Sequence, residues 1–334
     1  MSSFVLITGG AGFIGSHLVE RFLAAGESVV VLDDLSSGSV DNLTAACDAG
    51  RLADVGRLTF VEGDAADEGL VTRLARGAAG IVHLAASVGV RQVVEAPGRT
   101  LRNNLTTVLG VTAAARAHRL PLLFASTSEV YGKSDELPFD EGGDLRLGAT
   151  TRGRWSYAAA KATGEWLVLS EAAEGRFPAV VARLFNTVGP RQRGRYGMVL
   201  PRFVAAARRG APLEVHGDGL QTRCFGHVED VSSSLFQLFV RARAGQLGEQ
   251  RVFNVGTDEE VTILSLAERV RAAAGSDSEI RLVPYEEAFG AGSGFEDMRR
   301  RVPSLVALDR ELGGAPRRSL DAILAELVAA LPVG

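Results

Sequence analysis

Thr8-Gly9-Gly10-Ala11-Gly12-Phe13-Ile14-Gly15 is the stretch that decides the fold of this 334-residue chain. The apolar run Phe4–Thr8 reads as a strand entering the glycines directly, and Ser16–Ala25 reads as the helix that leaves them. In that setting Gly9, Gly12 and Gly15 have separate tasks. One lets the chain reverse, one brings backbone N–H groups close to a pyrophosphate at the helix N-terminus, and one allows tight helix–strand packing. Phe13 and Ile14 lie within the same turn and are expected beside the cofactor. A glycine triplet alone is weak evidence in a chain with 39 glycines. The context carries it: Asp33 ends the next apolar run, Ser28–Asp33, at the distance of about 20 residues where a carboxylate accepts hydrogen bonds from a ribose. A carboxylate there repels a 2′-phosphate, and no arginine follows within Leu35–Val40, so NAD is expected rather than NADP.

Outward from this turn, Thr59–Glu62, Gly80–Leu84, Leu120–Ser126 and Ala179–Phe185 read as further strands. Glu68–Arg76, Thr100–His118 and Tyr157–Glu174 read as helices between them. Such alternation predicts an α/β fold, a Rossmann-type doubly wound parallel sheet with helices on both faces. Residues 1–178 would form the dinucleotide-binding domain, with strand 179–186 returning to its sheet. Residues 187–334 would form a smaller C-terminal substrate-binding domain, partly interleaved with the first. Its helical stretches are Met198–Arg209, Val231–Arg243 and Ile263–Ala274.

Composition narrows the class. Apolar residues make up 46% of the chain, charged residues 23%, and the formal charge is −4, which suits a folded protein and argues against nucleic-acid binding. No stretch approaches the ~20 apolar residues of a membrane span, and the first residues carry no basic leader, so a cytoplasmic location is expected. Cys47 and Cys224 are the only cysteines, too few for a Cys-based metal site, and no metal is expected. Of the 36 cationic residues only Lys133 and Lys161 are lysines. A lysine that survives so strong a bias invites inspection.

Tyr157 and Lys161 stand four apart on a predicted helix and therefore share a face. An ammonium beside the phenol, with a cationic nicotinamide nearby, favours the phenolate. A tyrosine so tuned takes a proton from a sugar hydroxyl while hydride departs. With four tyrosines and two lysines, chance supplies this spacing about 0.02 times in such a chain. Ser126–Gly132 follows a strand end, where doubly wound sheets place their active sites. Thr127 there either hydrogen-bonds the reacting oxygen or caps a turn, and Glu129 adds a carboxylate. Asp64, at another strand end, either contacts the adenine amine or caps a turn.

Together the glycine pattern, His83-Leu84-Ala85-Ala86, Asn104, Ser126–Gly132, Tyr157/Lys161 and Arg183–Arg191 resemble the extended short-chain dehydrogenase/reductase family, in its nucleotide-sugar branch. The resemblance implies a tightly bound, recycled NAD that also touches Ala85 and Asn104. It implies Thr127, Tyr157 and Lys161 as the catalytic set, and a homodimer built on the helices near 100–118 and 157–174. Three reactions of that branch begin by oxidising C4 of the sugar: 4-epimerisation, 4,6-dehydration and uronate decarboxylation. Thr127-Ser128-Glu129 looks like the segment of UDP-glucuronate decarboxylases, which implies catalytic roles for Ser128 and Glu129. Simple 4-epimerases usually lack the glutamate, dTDP-glucose 4,6-dehydratases carry aspartate in place of Ser128, and GDP-mannose 4,6-dehydratases favour NADP. The expected product is UDP-xylose or the UDP-4-keto-pentose, with epimerase and dehydratase as the alternatives.

Such a substrate carries a diphosphate and a carboxylate. From Arg183 to Arg223 eight arginines face only Glu214 and Asp218, and arginine suits bidentate recognition of both groups. The resemblance implies substrate contacts at Asn186, Arg191, Arg223 and Arg301. Arg223 matches a family arginine on the diphosphate or the reacting sugar. Arg301 opens a segment, Arg301-Val302-Pro303-Ser304, in which the family's aspartate is replaced by Ser304. Arg91, in the loop after Ala86, either meets a carboxylate or phosphate or is structural.

Overall fold

The computed structural model describes residues 3–48, 56–89, 93, 95–192, 198–290 and 298–330. The first half runs β1 (Phe4–Thr8), α1 (Phe13–Ala24), β2 (Ser28–Asp33), α2 (Val40–Asp48), β3 (Leu58–Glu62), α3 (Glu68–Ala75) and β4 (Ala78–His83). Then come α4 (Pro97–His118), β5 (Leu122–Thr127), α5 (Ser156–Gly175) and β6 (Ala179–Leu184). The second half opens with β7 (Thr187–Val188), α6 (Val199–Arg208), β8 (Leu213–His216), β9 (Thr222–Cys224) and β10 (Gly226–His227). It continues through α7 (Val228–Arg243), β11 (Val252–Val255), β12 (Glu260–Thr262), α8 (Ile263–Ala273) and β13 (Ile280–Val283). Three helices follow: α9 (Tyr285–Phe289), α10 (Val306–Leu312) and α11 (Leu320–Ala330).

Seven strands form one sheet in the order β11-β6-β5-β4-β1-β2-β3, and every pairing within it is parallel. The expected doubly wound sheet is therefore present. Alternation along β1 explains why both faces are covered: Val5 and Ile7 enter one core and Leu6 the other. On the first face α1 supplies Leu18 and Phe22, and α7 supplies Leu235 and Phe239. On the second, Val108 and Val111 of α4 meet Val168 of α5. The chain goes outward from β1 to β3 and then returns to β4 beside β1. The crevice outside the strands' carboxyl ends opens at that switch point, where such sheets bind ligands.

A second, smaller core joins Phe203 and Val204 of α6, Val215 of β8, Leu266 and Val270 of α8, and Ile323 of α11. The two units interleave deeply. After β10 the chain comes back to the large sheet as α7 and β11, and Leu305, Leu308 and Leu312 also pack into the first core. Residues 228–255 thus belong to the dinucleotide-binding layer, although they follow position 187. Helix α1 starts at Phe13, three residues before the expected start, because Gly12 ends the turn in an extended conformation and caps it. Among the described residues no helix is long and apolar enough to cross a membrane. None of their His, Cys, Asp and Glu side chains gather in a group fit to hold a metal.

Candidate active site

A cavity of about 1070 Å³ follows the carboxyl ends of the strands, from the β1–α1 turn past β5 to the smaller lobe. At its first end the glycines divide their work as expected. Gly9 has φ +74°, and a Cβ there would lie 2.6 Å from the backbone nitrogen of Ala85. A Cβ on Gly15 would lie 2.1 Å from the Gly9 carbonyl oxygen. Gly12 is different: its Cβ would meet only that carbonyl, at 3.1 Å, and the residue lines the cavity. Helix α1 has no acidic residue in its first turn, so its N-terminal N–H groups and partial positive charge face the cavity uncompensated.

Phe13, Ile14 and Ala85 line the same end. Asp33 is fixed there, accepting from the Ala11 N–H at 2.9 Å and the Leu35 N–H at 2.9 Å. Burial raises its pKa, and these bonds oppose the rise. Asp64 lines the cavity and also caps its own turn, accepting from the Ala66 N–H at 2.8 Å. The turn cap expected of that residue is therefore present. This end fits a dinucleotide: an open helix N-terminus beneath a glycine that a methyl group would fill, and a carboxylate at the end of β2.

Thr127 closes β5, and Ser128–Tyr131 form a 3-10 turn that caps on it; the Thr127 hydroxyl accepts from the Glu129 N–H at 3.3 Å. Helix α5 then carries Tyr157 and Lys161 to the same place, both buried and both lining the cavity. Tyr157 and Thr127 stand together on the cavity wall. Burial raises the phenol's pKa, the charge of Glu129 raises it further, and Thr127 and Arg301 pull it down. The expected pull of Lys161 on the phenol is not among these influences. Its ammonium instead donates to the Ala125 carbonyl at 2.7 Å, and burial lowers it to about 8 against the opposing pull of Glu165.

Glu129 is the centre of charge. Arg154 donates to one carboxylate oxygen, and Arg301 donates to the other at 3.0 Å. Burial alone would raise the Glu129 pKa, but Arg154, Arg301 and Arg223 outweigh it and hold it at about 2. Arg301 also donates to Asn186 Oδ1, and Asn186 donates to the Cys224 carbonyl at 3.0 Å. Arg223 is buried and anchored by its donation to the Met298 carbonyl at 2.9 Å. Ser128 is buried and lines the cavity beside them.

Three expected site residues stand apart from the rest. The Asn104 amide is engaged by the chain itself: it accepts from the Ser87 N–H at 3.0 Å and donates to the Ser87 and Thr100 carbonyls, pinning the loop after β4 to α4. Asn103 and Thr107, which flank it, line the cavity. Arg191 lines the cavity too, and leans on helix α1, with Nη2 3.2 Å from Glu20 and Nη1 3.4 Å from the Ser16 hydroxyl. Arg91 lies outside the described residues. One side chain of the cavity wall that pairs with Glu129 escaped sequence reasoning. Arg154 sits three residues before Tyr157, at the entrance to the same helix, and one arginine among 34 gives no signal by type.

A parallel doubly wound sheet, a glycine turn opening on its crevice and a Tyr/Lys pair beside that crevice define a dinucleotide-dependent enzyme acting on a hydroxyl-bearing substrate. The chain belongs to the NAD dependent epimerase/dehydratase family, whose model matches residues 5–256, and its cofactor is NAD. It is 35% identical over 274 residues to the UDP-N-acetyl-alpha-D-glucosaminuronate decarboxylase of Bacillus cytotoxicus, covering 81% of this chain and 80% of the relative. It is 34% identical over 280 residues to a dTDP-glucose 4,6-dehydratase of Streptomyces niveus, covering 81% and 78%. Its structure matches that of the UDP-glucose 4-epimerase of Thermotoga maritima, solved with UDP-glucose, with a TM-score of 0.83, 28% identity and 97% of each chain covered.

Proposed function

We propose that this enzyme decarboxylates UDP-glucuronate through a 4-keto intermediate to UDP-xylose and/or the UDP-4-keto-pentose. One observation carries the reading: Arg154 and Arg301 bind the Glu129 carboxylate, and together with Arg223 they line the cavity next to Tyr157. Guanidinium groups at the sugar end of the cavity suit a C6 carboxylate better than a neutral hexose. The similarity to a decarboxylase of a UDP-linked uronate supports the same choice.

When bound, NAD supplies the hydride acceptor at sugar C4. Tyr157 serves as the base for the C4 hydroxyl, with Thr127 beside it favouring the phenolate. With C4 a carbonyl, the C6 carboxylate belongs to a β-keto acid, and CO₂ leaves as its electrons pass into the C4–C5 enolate. Glu129, ionised at neutral pH, cannot donate the proton that C5 then needs. Its part is to aim Arg154 and Arg301. Asn186 lies under Arg301 and so helps place the substrate's charged end.

Incubation of the purified chain with UDP-glucuronate, and in parallel with UDP-N-acetylglucosaminuronate, should release CO₂ without added NAD. Conversion of UDP-glucose to UDP-galactose with no CO₂ from either uronate would overturn the reading. The enzyme is further proposed to act as a homodimer paired through α4 and α5. Leu109 of α4 is 54% exposed and Trp166 of α5 is 62% exposed, on faces that the chain itself leaves uncovered.

A further inference from the structure

Beneath the Tyr157/Lys161 pair lies a buried polar cluster that the proposed chemistry leaves unused. Glu165 follows Lys161 by one helical turn on α5 and is 3% exposed. Arg183 of β6 meets it side-on, with Nε 3.1 Å from each carboxylate oxygen and Nη2 2.7 Å from Oε2. Ser126, the neighbour of Thr127 on β5, donates its hydroxyl to Oε1. Arg183 is itself secured, donating to the Glu141 carbonyl at 3.2 Å and lying 4.8 Å from the centre of the Tyr131 ring. Glu165 therefore has its place fixed from two strands at once.

A buried ion pair of this kind is a poor device for stability alone, since an apolar pair of similar volume often serves as well or better. Its position suggests a use. The Lys161 ammonium sits 4.8 Å from the centre of the Phe124 ring, in surroundings that disfavour its charge. The ionisable groups around it are few. Tyr157 shares its helix, and Glu129 stands on the turn after β5. His83 of β4 stacks on Phe124 and is held neutral by burial and by Lys161. Arg183 of β6 is a cation already engaged by Glu165. Of these, Glu165 is the group whose charge supports the ammonium.

We propose that Glu165 is a positioning residue for Lys161: clamped by Arg183 and Ser126, it locks that turn of α5 against the end of β5, where the Lys161 ammonium reaches the Ala125 carbonyl. It rests on the reading that Lys161 serves proton transfer at Tyr157, but its test needs no substrate. The chain has only two lysines, so labelling with ¹³Cε-lysine gives two side-chain signals, and a Lys133→Arg variant assigns them.

In the NAD-loaded protein, Glu165→Gln should lower the Lys161 titration midpoint by about one pH unit or more, a tenfold change in proton affinity. Glu165→Asp should recover most of that shift. If the single variant does not fold, because Arg183 is left unpaired, the double variant Glu165→Gln/Arg183→Met should show a fall in the same direction, smaller because both charges of the pair are gone. An unmoved midpoint in whichever variant folds overturns the proposal. A Tyr157→Phe variant separates the two readings. If it is inactive on UDP-glucuronate while the Lys161 midpoint does not move in the Glu165 variants, the positioning role alone fails. If it turns over normally, proton transfer at Tyr157 fails whatever Lys161 does.

Discussion

In the proposed mechanism Glu129 sits beside the reacting groups without exchanging a proton. Its two oxygens are divided between Arg154 and Arg301, and at neutral pH it stays ionised because those cations outweigh its burial. Glu129→Gln keeps the shape and one acceptor oxygen but removes the charge that orients both guanidinium groups. Decarboxylation should fall roughly a hundredfold while NAD stays bound. The comparison to make is CO₂ release against NAD content of the same preparation, and an unaffected rate would remove Glu129 from the machinery. What sequence could reveal at this scale followed rarity. Tyrosine and lysine are scarce here, so their pairing at positions 157 and 161 stood out. Arg154 and Glu165 belong to abundant types, and only the fold shows that they are buried and aimed at Glu129 and at Arg183. Asn104 makes a related point: a polar residue on a helix face gives no sign in the sequence that its amide is engaged by Ser87.

Between β1 and α1, three glycines that look alike in the sequence differ in what the backbone demands of them. Gly15 is needed for packing, since its Cβ would overlap the Gly9 carbonyl oxygen at 2.1 Å and the Gly10 Cα at 2.8 Å. Gly15→Ala should force α1 away from β1, destabilise the fold by roughly 1–3 kcal/mol and release NAD. Gly12 meets only one atom, at 3.1 Å, and has an extended backbone that alanine adopts freely. Gly12→Ala should therefore melt close to the parent temperature yet lose NAD, because its methyl group would occupy the approach to the helix N-terminus. Thermal melts set beside NAD content after denaturation separate the two, and a Gly12→Ala chain that keeps its NAD would deny that glycine its role. The long elements were legible because they carry a period: β1, β2 and β6 fall within a residue of their expected limits, as does α5. The strands of the small lobe were not. β7 to β10, β12 and β13 span two to four residues, too short for alternation to register, and β8 finds its partner β13 far along the chain.

At the scale of the whole molecule, sequence showed that a second unit exists but not how the units are woven. Val228–Arg243 could be read as a helix, yet its destination, across α1 on the large sheet, depends on Leu235, Leu238 and Phe239 finding Leu18 and Phe22. The same packing leaves α4 and α5 as the outer layer on the opposite face of the sheet. Thr106, Leu109 and Ala113 of α4 are exposed at helical spacing, and Thr163, Trp166 and Ser170 of α5 match them. In the proposed homodimer, small residues flanking one large aromatic would let a symmetric copy approach closely. An exposed tryptophan surrounded by such residues is the type of group that dominates an interface when it is covered. Trp166→Glu should weaken self-association by about 2 kcal/mol or more, roughly thirtyfold in dissociation constant, while leaving the fold intact because the side chain is already in water. Sedimentation over a concentration series reads this directly, with the NAD content of each species as the control for folding. If the parent chain sediments as a monomer at every concentration, or if Trp166→Glu pairs as tightly as the parent, α4 and α5 are not the dimer face.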